Sequence, residues 1–356
     1  MPSDTAEISK SSKIVNSVWS EKMSEFAIVN RILKQYLGGG GEVVVPNTVN
    51  RIGDGAFRGQ EDLTCIYVPE TVERIDSYAF RECVNLKSVY LPNGLRRLGS
   101  GAFSNCVSLE KVNIPIGVRT VGDSLFEGCT ALREISIHDA VETVGERAFS
   151  GCSALTRLAL PDSVKSIRSG AFGYCTSLRE VTIPNGVKRI PSRLFEGCEN
   201  LVSVTIPEGV TDIDDSVFAN CPALDEIRIP KSVVDMALHP FADSTAVSGG
   251  TLYISAAQLE FVEDNDAFLA AVRGFIKSYY NGEIGAEEQE AWNRYLKKHS
   301  ARCIEKMMGE SILYRYFAQY DLIPQEAVDG LIEDNESVEC RAILLAYKRK
   351  TSDFDL

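Results

Sequence analysis

A phenylalanine recurs every 23 residues through the middle of the chain, and this period constrains the fold more than any other feature of the sequence. The positions are Phe57, Phe80, Phe103, Phe126, Phe149, Phe172, Phe195, Phe218 and Phe241. A fixed period of about 20 to 50 residues is typical of solenoids, in which each unit buries its apolar face only against its neighbours. The sequence therefore predicts a stack of 23-residue units.

Each unit reads L-x-x-V-x-I-P-x-x-V-x-x-I-x-x-x-A-F-x-x-C-x-x. In the unit that begins at Leu201, the apolar residues Val204 and Ile206 alternate with polar ones. This alternation predicts a short strand with one face inward and the other in water. The proline ends the strand, because it has no N–H to donate to a neighbouring strand. At residues 91–94, Leu-Pro-Asn-Gly predicts a type I turn with the proline second.

A cysteine recurs with the same period, at Cys83, Cys106, Cys129, Cys152, Cys175, Cys198 and Cys221. The chain is long and shows no export signal, so the cysteine spacing does not predict the disulfide framework of a small secreted domain. We interpret the column as small buried side chains in a turn. Two alternatives stay open. Neighbouring units about 4.8 Å apart permit a disulfide by distance, and a metal site has little support because no histidine recurs with the cysteines.

The repeat motif between Glu42 and Ser244 resembles that of the BspA-type leucine-rich-repeat proteins of bacteria. Residues 26–49 are similar to the capping segment that often precedes such arrays. The resemblance implies a right-handed solenoid whose L-x-x-V-x-I strands form a parallel sheet on its concave side. It also implies a role in binding, since exported members of the family are associated with adhesion to host or partner proteins.

The sequence divides into three predicted regions. Residues 1–41 are a helical, capping lead-in, in which the glycine run at residues 38–41 ends the helix and leads into a strand. Residues 42–255 are the leucine-rich-repeat solenoid, with about nine units and a closing strand at residues 251–254. Residues 256–356 are a small all-α domain. The predicted fold is thus an α+β repeat protein.

Apolar residues of the last region fall at helical spacing, as in Trp292, Tyr295 and Leu296 and again in Val338, Ala342 and Leu345. We expect five or six short helices packed in antiparallel pairs. These apolar and aromatic positions are predicted to form the core of the domain. The alternative is a groove that accepts a partner helix.

Charge argues against several classes of function. The chain carries 37 basic and 50 acidic residues, a formal charge of −13, which disfavours electrostatic binding to nucleic acid or anionic membranes. No stretch approaches about 18 uncharged apolar residues, and no signal peptide is visible at the N-terminus. We expect no membrane insertion, a cytoplasmic location with an unrecognised export route left open, and a monomer.

Catalytic motifs are missing from the sequence. Its three histidines, His138, His239 and His299, lie far apart, and no H-E-x-x-H, G-x-S-x-G or C-x-x-C occurs. We therefore expect a protein that is not an enzyme and that has no metal site and no cofactor. His138 replaces the proline of one unit, either as a solvated turn residue or as a ligand or pH-sensing group.

Two columns of side chains lie on the solvent-facing side of the strands. One column alternates in charge through Lys111, Glu134 and Arg157, and neighbours of opposite sign are expected to pair with each other. The other begins with tyrosines, which give contact area at low entropic cost. The candidate partner-binding residues are Tyr67, Tyr90, Asn113, Lys111, Glu134 and Arg157.

A second candidate lies on the segment that follows each proline. Four arginines share one column there, namely Arg51, Arg74, Arg97 and Arg189. Solvation and local pairing explain such a basic stripe, and binding of an acidic partner is the alternative.

Together these features predict a non-enzymatic scaffold that binds a protein or peptide on the concave face of the solenoid. The alternative function is a carbohydrate-binding or surface adhesion protein, in which Tyr67 and Tyr90 stack on sugar rings.

Overall fold

The computed structural model describes residues 23–237, 240–241, 250–262, 265–306 and 309–352. Within these residues the chain forms a parallel β-solenoid of about nine turns of about 23 residues, followed by six α-helices. Each turn contributes two short strands, one to each of two sheets that enclose the core. None of the described helices is both long and apolar enough to span a membrane.

The L-x-x-V-x-I segments form the first sheet. Its strands are β3 (Gly41–Val44), β5 (Leu63–Tyr67), β7 (Ser88–Tyr90), β9 (Lys111–Asn113), β11 (Glu134–Ser136), β13 (Arg157–Leu158), β15 (Glu180–Thr182), β17 (Ser203–Thr205), β19 (Glu226–Arg228) and β21 (Thr251–Tyr253). The segments after the proline form the second sheet. Its strands are β2 (Ile32–Tyr36), β4 (Arg51–Ile52), β6 (Arg74–Ile75), β8 (Arg97–Leu98), β10 (Thr120–Val121), β12 (Thr143–Val144), β14 (Ser166–Ile167), β16 (Arg189–Ile190), β18 (Asp212–Ile213) and β20 (Asp235–Met236). The predicted closing strand is confirmed, because β21 pairs with β19 in parallel.

Each sheet is divided into three hydrogen-bonded blocks. In the first sheet the strand ladder is interrupted between β11 and β13 and between β17 and β19, among the residues that the structure describes. The interruptions of the second sheet fall elsewhere, between β8 and β10 and between β14 and β16. Within the described strands, the interruptions of the two sheets therefore fall between different units of the solenoid.

The phenylalanine turn supplies a third ladder that continues across all of these interruptions. The N–H of each phenylalanine from Phe57 to Phe218 donates to the carbonyl of the residue that precedes the next phenylalanine, as in Phe149 N to Ala171 O at 2.8 Å. The rings stack along the axis, with centroids 5.0 to 5.9 Å apart from Phe57 to Phe241. This turn therefore connects every unit through both backbone and side chain.

The proline-containing turns lie one residue later than predicted. Leu95 N donates to Pro92 O at 3.1 Å, and Val187 N donates to Pro184 O at 3.1 Å. The proline is thus the first residue of each turn, because its carbonyl accepts the closing hydrogen bond. The prediction of a turn at residues 91–94 was wrong by one position.

The seven cysteines of the column are free thiols with no solvent exposure. Each Sγ donates to the carbonyl of the phenylalanine 26 residues earlier, as in Cys152 to Phe126 at 3.3 Å. That carbonyl also accepts the N–H of the cysteine in its own unit, as in Cys129 N to Phe126 O at 3.1 Å. The column is therefore a ladder of thiol hydrogen bonds as well as a set of small core side chains.

Burial raises the pKa of these thiols, to about 12 at Cys129 and Cys175, so the reactive thiolate is scarce near neutral pH. Cys303 and Cys340 are also buried, which leaves Cys65 as the partly exposed cysteine among the ten. Because Cys65 alone among the ten is open to solvent, we expect native protein at pH 8 to react with a thiol reagent at about one site per chain. Mass spectrometry of the labelled protein should place that site at Cys65, and Cys65→Ser should abolish the fast reaction. Fast labelling of the column would contradict the arrangement.

The N-terminal lead-in is a β-hairpin, so the predicted helix within residues 1–41 was wrong for the part of it that is described. After a short 3-10 helix (Met23–Glu25), β1 (Phe26–Val29) pairs antiparallel with β2, and β2 continues the second sheet. Asn30 and Arg31 turn the chain with positive φ angles of 49° and 64°, the conformation of a two-residue hairpin loop. The glycine run follows a strand and therefore cannot cap a helix.

The hairpin covers the first unit of the solenoid. Tyr36 is buried, and its ring stacks on Phe57 at 5.1 Å and contacts Phe26 at 5.2 Å. The aromatic stack therefore extends beyond the 23-residue period. A helix could not supply the strand that pairs with β4, which is the physical reason for the hairpin.

The C-terminal region contains a 3-10 helix (Ala256–Phe261), then α1 (Asn265–Tyr280), α2 (Ala286–Lys298), α3 (Ser300–Lys306), α4 (Ser311–Gln319), a 3-10 helix (Gln325–Ala327), α5 (Val328–Asp334) and α6 (Val338–Ser352). The helix α1 lies directly against β21. The ring of Phe275 in α1 stacks on buried Trp292 in α2, with centroids 4.4 Å apart. This stack confirms Trp292 as a core residue.

The predicted core face of α6 was wrong. Val338 is 82% exposed and Leu345 is 44% exposed, whereas Cys340, Leu344 and Tyr347 are buried. Both sets have helical spacing, so the sequence period alone did not choose between them. The packing of α6 against α4 and α5 decided which face is covered.

Candidate partner-binding face

Two stacked tyrosines mark the N-terminal part of the first sheet. Tyr67 and Tyr90 are directly opposite each other in the pairing of β5 and β7. Their rings are parallel with centroids 4.6 Å apart. Tyr90 is 54% exposed and Tyr67 is half-buried, while the alternating Ile66 and Val89 point into the core. The strand pleat thus presents a fixed aromatic pair at the surface.

The environment of Tyr67 keeps its phenol neutral. Burial, together with a hydrogen bond to Cys65, raises the pKa of Tyr67 above its usual range. Burial also raises the pKa of the neighbouring Cys65 thiol. Tyr67 therefore offers apolar ring area and a hydroxyl that carries no charge at neutral pH.

The charged candidates lie farther along the same face. Lys111 and Glu134 form an ion pair at 3.3 Å, and both side chains are mostly exposed. Asn113 on β9 follows Tyr67 and Tyr90 in the tyrosine column and is also exposed. An exposed pair of this kind contributes only about 0.2 to 1 kcal/mol, so it leaves both groups accessible to a partner.

Arg157 is separated from this group by the interruption between β11 and β13. Within the described residues, no ion pair joins Arg157 to Glu134 or to Glu180. The predicted ladder of alternating charges therefore forms only at its first step. The structure brings Tyr67, Tyr90, Asn113, Lys111 and Glu134 onto one block of the sheet and places Arg157 on the next.

Most of the basic stripe is paired internally. Arg51 and Arg74 both bind the buried carboxylate of Asp76, each at 2.5 Å. Arg189 binds Asp214 at 2.6 Å and Asp212 at 3.5 Å. Arg97 is exposed on β8, beside Arg74. Three of the four arginines are thus committed to carboxylates of their own chain, which lowers the positive charge of the stripe.

His138 has a structural role in its turn. Its Nε2 lies 2.7 Å from Pro115 O, and its Nδ1 accepts the N–H of Ala140 at 3.1 Å. These partners fix the neutral tautomer with the proton on Nε2. The side chain replaces the missing proline by tying its turn to the preceding unit. His239 lies outside the described residues.

The far end of the tyrosine column was not recognised from the sequence as a functional feature. Arg228 of β19 pairs in register with Tyr253 of β21, and its guanidinium lies 3.8 Å from the tyrosine ring centroid. Glu283 from the loop between α1 and α2 binds Arg228 at 3.7 Å. The 23-residue alignment reaches Arg228, but only the closing strand and the helices bring the other two residues beside it.

Across the described parts of the chain, no group of three or more His, Cys, Asp and Glu side chains could hold a metal ion. None of the curated proteins compared with the chain matches it. The fold's relatives among solved structures are bacterial leucine-rich repeat proteins.

Three solved structures illustrate the likeness. The leucine-rich repeat protein of T. pallidum is 33% identical, with 57% of this chain and 89% of that chain covered and a TM-score of 0.42. A leucine-rich cell surface protein from Faecalibacterium prausnitzii A2-165 is 24% identical, with 69% and 90% covered and a TM-score of 0.39. The pneumococcal vaccine antigen PcpA is similar at 16% identity, with 64% and 78% covered and a TM-score of 0.39.

The family comparison is decisive, because it matches more than half of the chain. The model of the BspA type leucine rich repeat region matches residues 41–156 and 120–248, with six copies of the repeat. These residues coincide with the solenoid described above. The protein is a member of the BspA-type leucine-rich repeat family.

Proposed function

We propose that this protein is a non-enzymatic scaffold that binds a protein or peptide on the polar face of the first sheet, centred on Tyr67 and Tyr90. The repeat proteins of this family are non-catalytic, and they generally serve in protein interaction or surface adhesion. The observation that carries the proposal is the stacked pair of tyrosines on a regular strand pair. Aromatic side chains held by a rigid sheet lose little entropy on binding.

The surroundings of the pair suit a protein interface. Asn113 and the exposed Lys111–Glu134 ion pair supply polar groups beside the aromatic area. An apolar centre with a polar rim is the usual composition of such interfaces. The uncharged phenol of Tyr67 adds a hydrogen-bonding group without a desolvation penalty for a charge.

A protein or peptide fits this geometry better than a sugar ring held between the tyrosines. The two rings are parallel with centroids 4.6 Å apart, so the faces that they turn to each other are already in contact. A sugar ring cannot enter between them. A partner therefore contacts the parts of the pair that remain exposed, chiefly on Tyr90, which is 54% exposed.

The test is quantitative capture of partners from a lysate of the source organism by the immobilised full chain. We expect Tyr67→Ala combined with Tyr90→Ala to weaken capture by about 30-fold or more, since truncating an interface anchor costs about 2 kcal/mol or more. The solenoid should remain folded, with a Tm lowered by a few degrees, because the stacked pair itself is worth only about 0.5 to 1.5 kcal/mol.

Tyr174→Ala is the matched control. Tyr174 is 51% exposed, like Tyr90, but it lies on the phenylalanine turn and donates to Glu196 at 3.0 Å. Capture should survive this change. Equal capture by the double variant and the unchanged protein would exclude the tyrosine face as the binding site.

A further inference from the structure

A cleft lies at the opposite end of the polar face, where the first sheet meets the helices. Its volume is about 800 Å³, and its walls come from β17, β19 and β21 on one side and from α1, α2 and the loop between them on the other. Thr205, Arg228 and Tyr253 lie on the sheet side, and Glu283, Glu288 and Trp292 lie on the helical side. We refer to this feature as the junction cleft.

The walls of the junction cleft are held in place by close packing. A Cβ atom on Gly274 of α1 would lie 2.2 Å from Leu252 O, so the helix backbone directly contacts β21. On the α2 side, Glu288 Oε1 accepts the N–H of Ala256 at 3.0 Å. The cleft is therefore formed before any ligand arrives, which lowers the entropic cost of binding.

The cations of the cleft are neutralised within the protein. Arg228 binds Glu226 at 3.3 Å and Glu283 at 3.7 Å, and it also lies over the ring of Tyr253. On the rim, Lys231 binds Glu288 at 3.7 Å. A third cation, Lys277 of α1, also reaches Glu226 at 3.7 Å. Three carboxylates are thus matched by three cations.

Two lining carboxylates have no such match. Glu208 and Asp225 are both exposed in the cleft, and neither forms an ion pair within the described part of the chain. Lys188 has its Nζ close to Gly209 at the rim, but it forms no ion pair with Glu208. Among the residues described, Glu208 and Asp225 are thus the unpaired carboxylates of the cleft, and its apolar lining includes the exposed Val202 and the partly exposed Ile284.

We propose that the junction cleft is a second recognition site, which binds a lysine or arginine side chain of a protein segment lying across the end of the sheet. The aliphatic stem of such a residue suits the apolar lining of the cleft, and its charge complements either Glu208 or Asp225. The net charge of −13 on the chain also favours approach of a basic segment. This site does not depend on the tyrosine pair, which lies several units away.

The chain offers a local reporter for the test. It has two tryptophans, and Trp19→Phe leaves Trp292 in the cleft wall as the sole one. The full-length Trp19→Phe protein is titrated with an acetylated, amidated octapeptide that alternates lysine and serine, while Trp292 fluorescence is recorded. Octapeptides with glutamine or glutamate in place of lysine are the comparison probes. We expect a saturable response to the lysine peptide, weaker binding at higher salt, and no response to the other two peptides.

Two charge-matched double variants locate the binding. Glu208→Gln with Asp225→Asn should weaken binding of the lysine peptide by about tenfold or more. Glu110→Gln with Glu199→Gln removes two exposed carboxylates outside the cleft and should leave the affinity unchanged. No response to the lysine peptide, an equal response to the glutamine peptide, or equal weakening in both double variants would overturn the proposal.

Discussion

Phe172→Ala should lower the free energy of unfolding by about 3 to 5 kcal/mol, the usual cost of deleting a buried phenylalanine. The Phe172 ring is fully buried and lies between the rings of Phe149 and Phe195, at 5.8 and 5.9 Å. In a solenoid each unit is stabilised by its neighbours, so a cavity here weakens both interfaces of the unit. Urea denaturation followed by circular dichroism measures the change.

Phe241→Ala is the internal comparison for this result. Phe241 stacks on Phe218 at 5.6 Å, at the last phenylalanine position of the array, and is 5% exposed. We expect a clearly smaller loss of stability than for Phe172→Ala. Equal losses for the two variants would contradict the dependence of stability on stacked neighbours.

Gly274→Ala should separate the first helix from the solenoid, at a cost of about 3 kcal/mol, the upper part of the range for overpacked sites. The added Cβ would lie 2.2 Å from Leu252 O and 2.8 Å from the carbonyl carbon. Both atoms belong to the backbone of β21, so no side chain can move aside. Thermal unfolding and limited proteolysis near residues 256–265 measure the loss of docking.

Gly330→Ala is a control with the opposite expected sign. Gly330 lies in α5, and a Cβ atom there would meet nothing within 4 Å. Alanine favours a helix over glycine by up to about 1 kcal/mol, so this variant should be slightly more stable. If Gly274→Ala proved stabilising, or Gly330→Ala strongly destabilising, the contact between α1 and β21 would not be the cause of the change in stability.

Prediction from the sequence succeeded where one residue position has the same environment in every unit. The phenylalanine and cysteine columns, the short strands and the closing strand follow from a period that forces equivalent residues into register. The hydrogen bond from each thiol to a phenylalanine carbonyl could not be predicted from that period. It depends on the path of the backbone between units, which residue spacing does not contain.

Part of the candidate partner-binding face could be predicted from the sequence. The alternation of β5 and β7 placed Tyr67 and Tyr90 on the wet side, and the structure brings the two rings into contact. Local pairing of the arginine stripe was expected from the sequence, but the sharing of one buried carboxylate was not, since Asp76 binds arginines from two different units.

What the sequence by itself determined about this protein is its repetitive architecture, because a 23-residue unit with one apolar face can be stable only when stacked on copies of itself. Only the tertiary structure decided the features at the two ends, where the repetition stops. The hairpin at β1 and β2 forms because the second sheet needs a pairing strand. The junction cleft forms because α1 and α2 pack where β21 ends the first sheet. At both places the environment of each residue is set by segments distant in the chain, so no local period could have specified it.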